Sequence, residues 1–465
     1  MNTHQSQKYN SKSKIEEGNV TSDQEDVGKV IDVFLHMIMD IKECASEYIP
    51  EATKKYQDKA VHLLSEYKRI ITTLEVANDK ESKVIAEKNL RKKLRDIKRH
   101  SSSSPVQTLE KSLFISLFSA FDKFIGDLIE VLFKKKPDLY KKLNKEINIT
   151  NALEYESIED LRKYFLYKEI ETIRRKSYQE QFKKFENQFD IKLTKFDQWS
   201  AFIEQSQRRN LFTHCDGVVS QQYIDVCKTV NINIETSVGE KLKVGSDYLF
   251  KSCMIVAQVG IMLGQTLWRK LVSNEINKAD IHLNSKIFNF LHQEEWSNAI
   301  TIGNFAHSLP KKSNESLERM FLINHAIALN AINKKDKAKD LLDTKDWSAT
   351  LLDFTLAYSV ITYDYDEAKN IMLKIGKESK FVSEIPYHDW PLFREFRESD
   401  QFISGYELVY GYPYLSKAQE IAEENKNKVE FINEEILIGD CIVEPFLSTM
   451  QWTPYTNIRS NFLII

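Results

Sequence analysis

Between Gln207 and Gly217 the chain reads QRRNLFTHCDG, and four of these residues carry side chains suited to work on a phosphate. A histidine such as His214 moves protons near neutral pH. An arginine such as Arg209, with Arg208 beside it, offers two parallel donors to phosphate oxygens and stabilises the negative charge that builds in a transition state. An asparagine such as Asn210 can orient either the phosphate or the imidazole. If the nucleophile is a 2′-hydroxyl on the substrate itself, these groups suffice without a metal or other cofactor. The chemistry they suit is cleavage of RNA.

Spacing limits what one copy can do. Arg209 and His214 are five residues apart, which on a helix is about 140° of rotation, whereas Asn210 and His214, four apart, share a face. One helix therefore cannot close both groups around one phosphate. Two such helices meeting across a two-fold axis can, so the residues predict a homodimer with a composite site. His214 also falls in the last turn of its helix, where the dipole favours a protonated ring. The plainer alternative is that Arg and His at a helix C-terminus are ordinary capping residues.

The segment that must carry these residues, FDQWSAFIEQSQRRNLFTHCD, predicts a helix over about 195–216, ended by Gly217, which tolerates a left-handed backbone. A long apolar helix is predicted from about Val106, in TLEKSLFISLFSAFDKFIGDLIEVLFKKKPDLY, with Pro137 marking its exit. Asp122 sits inside it between Phe121 and Phe124, and a carboxylate there is costly unless it is paired or points to water. Beyond Gly217, VVSQQYIDV and GEKLKVGSDYL alternate enough to predict a short hairpin-like β excursion. DYLFKSCMIVAQVGIMLGQTLWRKLV then reads as a long buried helix closing the domain.

On each side lie further regions. Residues 1–26 read as a flexible polar tail, and 27–105 as a separate helical region ending in the basic run KNLRKKLRDIKRH and the linker SSSSP. That run is either a solvated helix face or a contact for RNA. From Ala279 to about 429 the texture is of helical hairpins, with Ala338 and Ala368 in matching places. Residues 430–465 form an apolar, β-leaning tail.

The stretch RRNLFTHCDGVVSQQYI, followed by GEKLKVGSDYLFKSCMIVAQVGIMLGQTLWRKL, resembles the HEPN superfamily of helical ribonuclease domains. The motif of that family is Arg, a polar residue, three further residues and His, matched here by Arg209, Asn210, Leu211, Phe212, Thr213 and His214. FISLFSAFDKFIGDLIEVLFKKKPDL looks like the opening helix of such domains, which in many members carries an acidic residue near the site; Asp122 is the matching position. The likeness covers about Val106 to Val272, and the charged insert around 154–189 departs from the compact form.

The resemblance implies an all-α bundle over 106–278 that dimerises through the motif helices and cuts RNA without metal, leaving a 2′,3′-cyclic phosphate and a 5′-hydroxyl. It further implies a toxin or phage-defence effector, with the hairpins over 279–429, which resemble degenerate tetratricopeptide repeats, sensing a protein or phage-derived trigger. The competing expectation is a non-catalytic helical scaffold that captures partners through those repeats.

Composition narrows the remaining classes. With 65 basic and 68 acidic residues the net charge is −3, so only local patches speak to nucleic acid. Five scattered cysteines and no CxxC spacing argue for a reducing compartment and against a structural zinc. No run of about 18 apolar residues and no signal-type N-terminus is read, so a cytoplasmic protein with no membrane span is expected. No glycine-rich phosphate loop supports a nucleotide-driven motor. His282, His292, His307 and His325 read as packing or surface residues rather than metal ligands, and Trp390, Phe393 and Phe396 of HDWPLFREF as core or repeat-capping packing, with a partner-binding edge the alternative. Cys215 is adjacent to His214 and so points about 100° away from it, which discounts a Cys–His nucleophile.

Overall fold

The computed structural model describes residues 26–143, 146–421 and 423. The fold is all-α, with seventeen α-helices among the described residues and a single isolated antiparallel bridge, Val218 to Lys241. Two compact units form. The first holds the described residues up to Lys195 together with Trp199–Gly260, and the second holds Phe196–Gln198 and the described residues from Ile261 onward. The apolar tail over 430–465 and the polar tail up to residue 25 lie outside the described residues.

The first unit opens with α1 (Val27–Val76), which starts where the side chain of Asp26 accepts the Gly28 N–H as an N-cap. Val27, Ile31, Phe34, Ile38, Ala45 and Ile49 are buried at helical spacing, and beyond Ile49 only Leu63 is. Pro50 sits at that change. The outer part of α1 pairs with α2 (Lys80–Ser101), an antiparallel return held by Tyr56, whose ring stacks on His100 at 4.1 Å and whose hydroxyl donates to the carbonyls of His100 and Ser103. α3 (Pro105–Lys135) begins with proline at its first position, where a missing N–H costs nothing. Its apolar stripe runs Phe114, Leu117, Phe118, Phe121, Phe124, Ile125 and Leu128, all buried.

The expectation of a separate region over 27–105 differs from what the structure holds. Phe34 of α1 stacks on Phe124 of α3 at 4.4 Å and meets Phe121 edge-on, so the first half of α1 belongs to the core of the α3 bundle. Gly260 allows this: a Cβ there would lie 2.2 Å from the Phe34 ring. Burying each such phenylalanine contributes about 1.5–3 kcal/mol, which explains why the two segments do not separate.

α4 (Ile149–Ala152), α5 (Ile158–Arg174) and α6 (Tyr178–Phe189) follow, α6 opened by a full capping box between Ser177 and Glu180. α7 (Trp199–His214) lies along α3, with Phe202 against Phe118 and Phe121, and Phe212 against Phe114. The predicted β excursion is reduced to the antiparallel Val218–Lys241 bridge, where the Val219 N–H donates to the Glu240 carbonyl at 2.8 Å and the Leu242 N–H to the Gly217 carbonyl at 2.9 Å. Residues 221–229 are a helix, α8 (Gln221–Thr229), capped by Ser220 and buried through Tyr223 and Cys227. Those two are four apart, so a helical period lay beneath the apparent alternation. α9 (Ser246–Leu271) is long and apolar enough to cross a membrane by length and composition, and it is mostly buried.

The second unit is built of hairpins: α10 (Ile276–His292) with α11 (Trp296–Ser308), α12 (Glu315–Ala331) with α13 (Lys335–Leu342), and α14 (Leu352–Ile361) with α15 (Tyr365–Ile375). Short α16 (Glu384–Asp389) and α17 (Asp400–Tyr410) close it, α17 packing on α15. Each hairpin turns through one left-handed residue, Glu294, Asn333 or Tyr363. In each, the next N–H donates back five residues at 2.9 Å, and a fully buried alanine follows five positions after the left-handed residue, at Ala299, Ala338 and Ala368. The small side chain is what lets the paired helices approach. His292, in α10, is 3.7 Å from Asp389, His282 contacts Gln265, and His325 is buried; no cluster of three potential metal ligands occurs among the described residues.

Candidate functional site

The site is assembled where α7 crosses α3. Arg209 reaches across to Asp122, with Nη2 to Oδ2 at 3.2 Å, while its Nη1 donates to Oδ1 of Asn210 at 3.1 Å. The pair is half-buried, Asp122 at 29% and Arg209 at 24% exposure. Asp122 therefore neither points freely to water nor stands alone. Its other oxygen accepts from the Tyr178 hydroxyl at 2.6 Å, supplied by the first residue of α6.

A second guanidinium completes the edge. Arg174, at the end of α5, donates through Nε to the Asp122 carbonyl at 3.0 Å and lies across Gly126, where a Cβ would meet its guanidinium at 2.0 Å. Asp122 is thus set among two arginines and a tyrosine. Nη1 and Nη2 of Arg209 each keep a second hydrogen, so the fork that Asp122 aims still has donors for a phosphate.

Burial raises the Asp122 pKa above its ordinary value, and the Tyr178 hydrogen bond and the charges of Arg209 and Arg174 only partly offset it. Tyr178 is itself pushed well above 10 by burial and then by the Asp122 charge, so it remains a fixed donor. A raised carboxylate pKa favours folding while the group is protonated, and that contribution fades as pH rises through the folded value. In a carbon-13 titration the Asp122 carboxyl is expected to have its midpoint above 3.8, and Tyr178→Phe to move it higher, because the lost hydrogen bond favoured the charged form. A midpoint that fell in Tyr178→Phe would contradict this account of the site.

His214 ends α7 and is exposed, with no hydrogen bond or ion pair to any described residue. The turn after it is pinned. Asp216 and Gly217 adopt φ of 50° and 84°, and the Gly217 N–H donates to the Leu211 carbonyl at 3.0 Å. A side chain at 217 would strike Phe212, so glycine is required. Asp216 is bracketed by Lys111 and Lys241, whose hydrogen bonds and charges hold it down to about 2. These contacts fix the end of α7 and leave the imidazole open to solvent.

Arg208 does something different. Its Nε donates to Glu204 at 2.8 Å, and its guanidinium lies 4.1 Å over the Tyr248 ring. Glu204 also accepts from Tyr223 at 2.6 Å and from Tyr248 at 2.7 Å, so one carboxylate joins α7, α8 and α9. Burial disfavours the Arg208 charge, but Tyr248, Glu204 and Tyr223 outweigh it and raise its pKa. The structure therefore brings Asp122, Arg209 and Asn210 together, leaves His214 at the open end of the same helix, and places Arg208 in a structural cluster.

Sequence reasoning missed Tyr178, Arg174 and Glu204. The Glu204–Arg208 spacing of four was a readable signal. Tyr178 and Arg174 lie more than fifty residues from Asp122, and no local pattern marks them. Comparison with family models, with curated proteins and with solved structures finds no match to this chain.

Proposed function

We propose that this chain is a metal-independent endoribonuclease of the HEPN type, acting as a homodimer whose two α7 helices share one site. The observation that carries the reading is the Arg209 fork, held by Asp122 and Asn210 and exposed in part, one and a half turns before an unengaged His214 on the same helix. In the reaction, the 2′-oxygen of the RNA attacks the adjacent phosphorus and gives up its proton, and the bond to the 5′-oxygen breaks as that oxygen is protonated. The products are a 2′,3′-cyclic phosphate and a 5′-hydroxyl. His214 moves a proton, Arg209 stabilises the charge on the phosphate oxygens, and Asn210 with Asp122 keeps the guanidinium aimed. No metal or cofactor is assigned a role. The matching alanines and left-handed turns of the second unit support a sensor of tetratricopeptide type, and with the nuclease reading suggest a cytoplasmic toxin or defence effector triggered by a protein or phage-derived ligand.

Purified protein incubated with RNA in EDTA is expected to cut it. The new 5′ ends should accept phosphate from a kinase without prior phosphatase treatment, and the 3′ ends should resist ligation until the cyclic phosphate is opened and removed. Intact RNA, or 3′-hydroxyl and 5′-phosphate ends, would overturn the assignment and leave the scaffold reading.

A further inference from the structure

The antiparallel pair formed by α2 and the outer part of α1 carries one face of a single sign. From Lys88 to Arg99, seven of twelve residues are basic and one, Asp96, is acidic, in a chain whose net charge is −3. Ala86, Leu90, Lys93, Ile97 and His100 turn toward α1, where Lys93 is neutralised by Glu66 at 2.5 Å. The other six cations, Lys88, Arg91, Lys92, Arg95, Lys98 and Arg99, are all exposed. At 100° per residue they fall within about 120° of the outer surface of α2.

Several cations on this protein's other exposed helices are offset by an acid three or four residues away, as in Lys55–Glu51, Lys123–Asp127, Arg162–Glu159 and Arg175–Glu171. On α2 the one outward-facing cation with such a partner is Arg91, 3.7 Å from Glu87; Lys93, which turns toward α1, also lies 3.9 Å from Asp96. Lys88, Lys92, Arg95, Lys98 and Arg99 make no ion pair with a described residue. Uncompensated like charges repel one another along the helix, a cost that salt screens in part and a bound polyanion relieves.

We propose that this outer face of α2 grips the backbone of single-stranded RNA, independently of bases, alongside the α7 site. The cations span eleven residues, about 16 Å of helix, long enough to follow the backbone of one strand across several phosphates. A membrane surface fits less well, because interfacial helices need a continuous apolar face. The exposed apolar residues of α2 are Val84 and Ile85, adjacent and about 100° apart, and Leu94, on the opposite side from Ile85, so they form no continuous stripe. The choice of RNA as the polyanion rests on the nuclease reading, while the positive face itself does not.

The test uses the full chain carrying Arg209→Ala, to suppress cleavage, and a labelled single-stranded RNA of about 16 nucleotides. Binding is followed by fluorescence anisotropy between about 50 and 200 mM salt. Relative to that protein, adding Lys88→Gln, Arg91→Gln, Lys92→Gln, Arg95→Gln and Arg99→Gln is expected to flatten the log–log salt slope by about 3 to 4 and weaken binding at least about tenfold. Arg91→Lys, Arg95→Lys and Arg99→Lys together should keep the slope, because charge rather than guanidinium geometry is being read. The inference is overturned by an unchanged slope in the glutamine variant, by no RNA binding at all, or by binding to anionic vesicles that RNA does not displace. Binding through α2 in a wild-type chain that leaves RNA intact would keep this inference and remove the nuclease one.

Discussion

If the nuclease reading holds, the His214→Ala protein is expected to lose RNA cleavage by a factor of about 100 to 10,000, the span that a positioned acid–base group contributes, while keeping the wild-type assembly state and unfolding temperature. The separation is possible because the imidazole is exposed and holds nothing: substitutions at such surface positions change stability by no more than about 0.5 kcal/mol. Arg209→Ala should lose a similar share of activity but disturbs the fold more, since Asp122 then keeps only Tyr178 and the Arg174 contact at its carbonyl. Initial rates on a defined RNA, paired with thermal melts of the same preparations, make the comparison. A folded His214→Ala protein cutting at the wild-type rate would end the proposal that this residue moves the proton.

The largest expected effect on stability belongs to Glu204. Its carboxylate takes hydrogen bonds from Tyr223, Tyr248 and Arg208 inside the first unit, with 10% of its side chain exposed and 18% of that of Arg208. Replacing it by leucine strands a buried guanidinium and two phenolic hydroxyls, and removal of one partner of a buried pair costs about 3–5 kcal/mol. Urea unfolding of Glu204→Leu should show that loss. The double variant with Arg208→Met should recover part of it, because the stranded charge is then gone. If Glu204→Leu melted like the wild type, the carboxylate would not be the tie between α7, α8 and α9.

Parts of this architecture were legible residue by residue. Pro105 and Pro137 bracket α3, Gly217 ends the turn after α7, and Ala338 and Ala368 occupy equivalent buried positions, because caps, breakers and small residues act locally. What could not be read depends on contacts distant in sequence. Phe34 and Phe124 are ninety residues apart, and their stacking erased the boundary expected near residue 105. Arg208 and Arg209 are the same residue type side by side. One helical step sends the first to Glu204 and the second to Asp122, which lies 87 positions away. Asp122 and Arg209, both singled out from the sequence, are in contact, but neither composition nor period anticipated Tyr178 beside them.

Pro50 has a mechanical consequence. Lacking an N–H, it leaves the Ser46 carbonyl without the usual helical donor at the point where α1 leaves the core, so the rod is most easily flexed there. The 26 residues from there to Val76 make a lever of about 39 Å, and a deflection of only about 10° at its root swings the tip by about 7 Å, more than one helical turn. α2, paired along this lever with His100 against Tyr56 and Lys93 against Glu66, is carried with that swing while α7 stays anchored in the bundle.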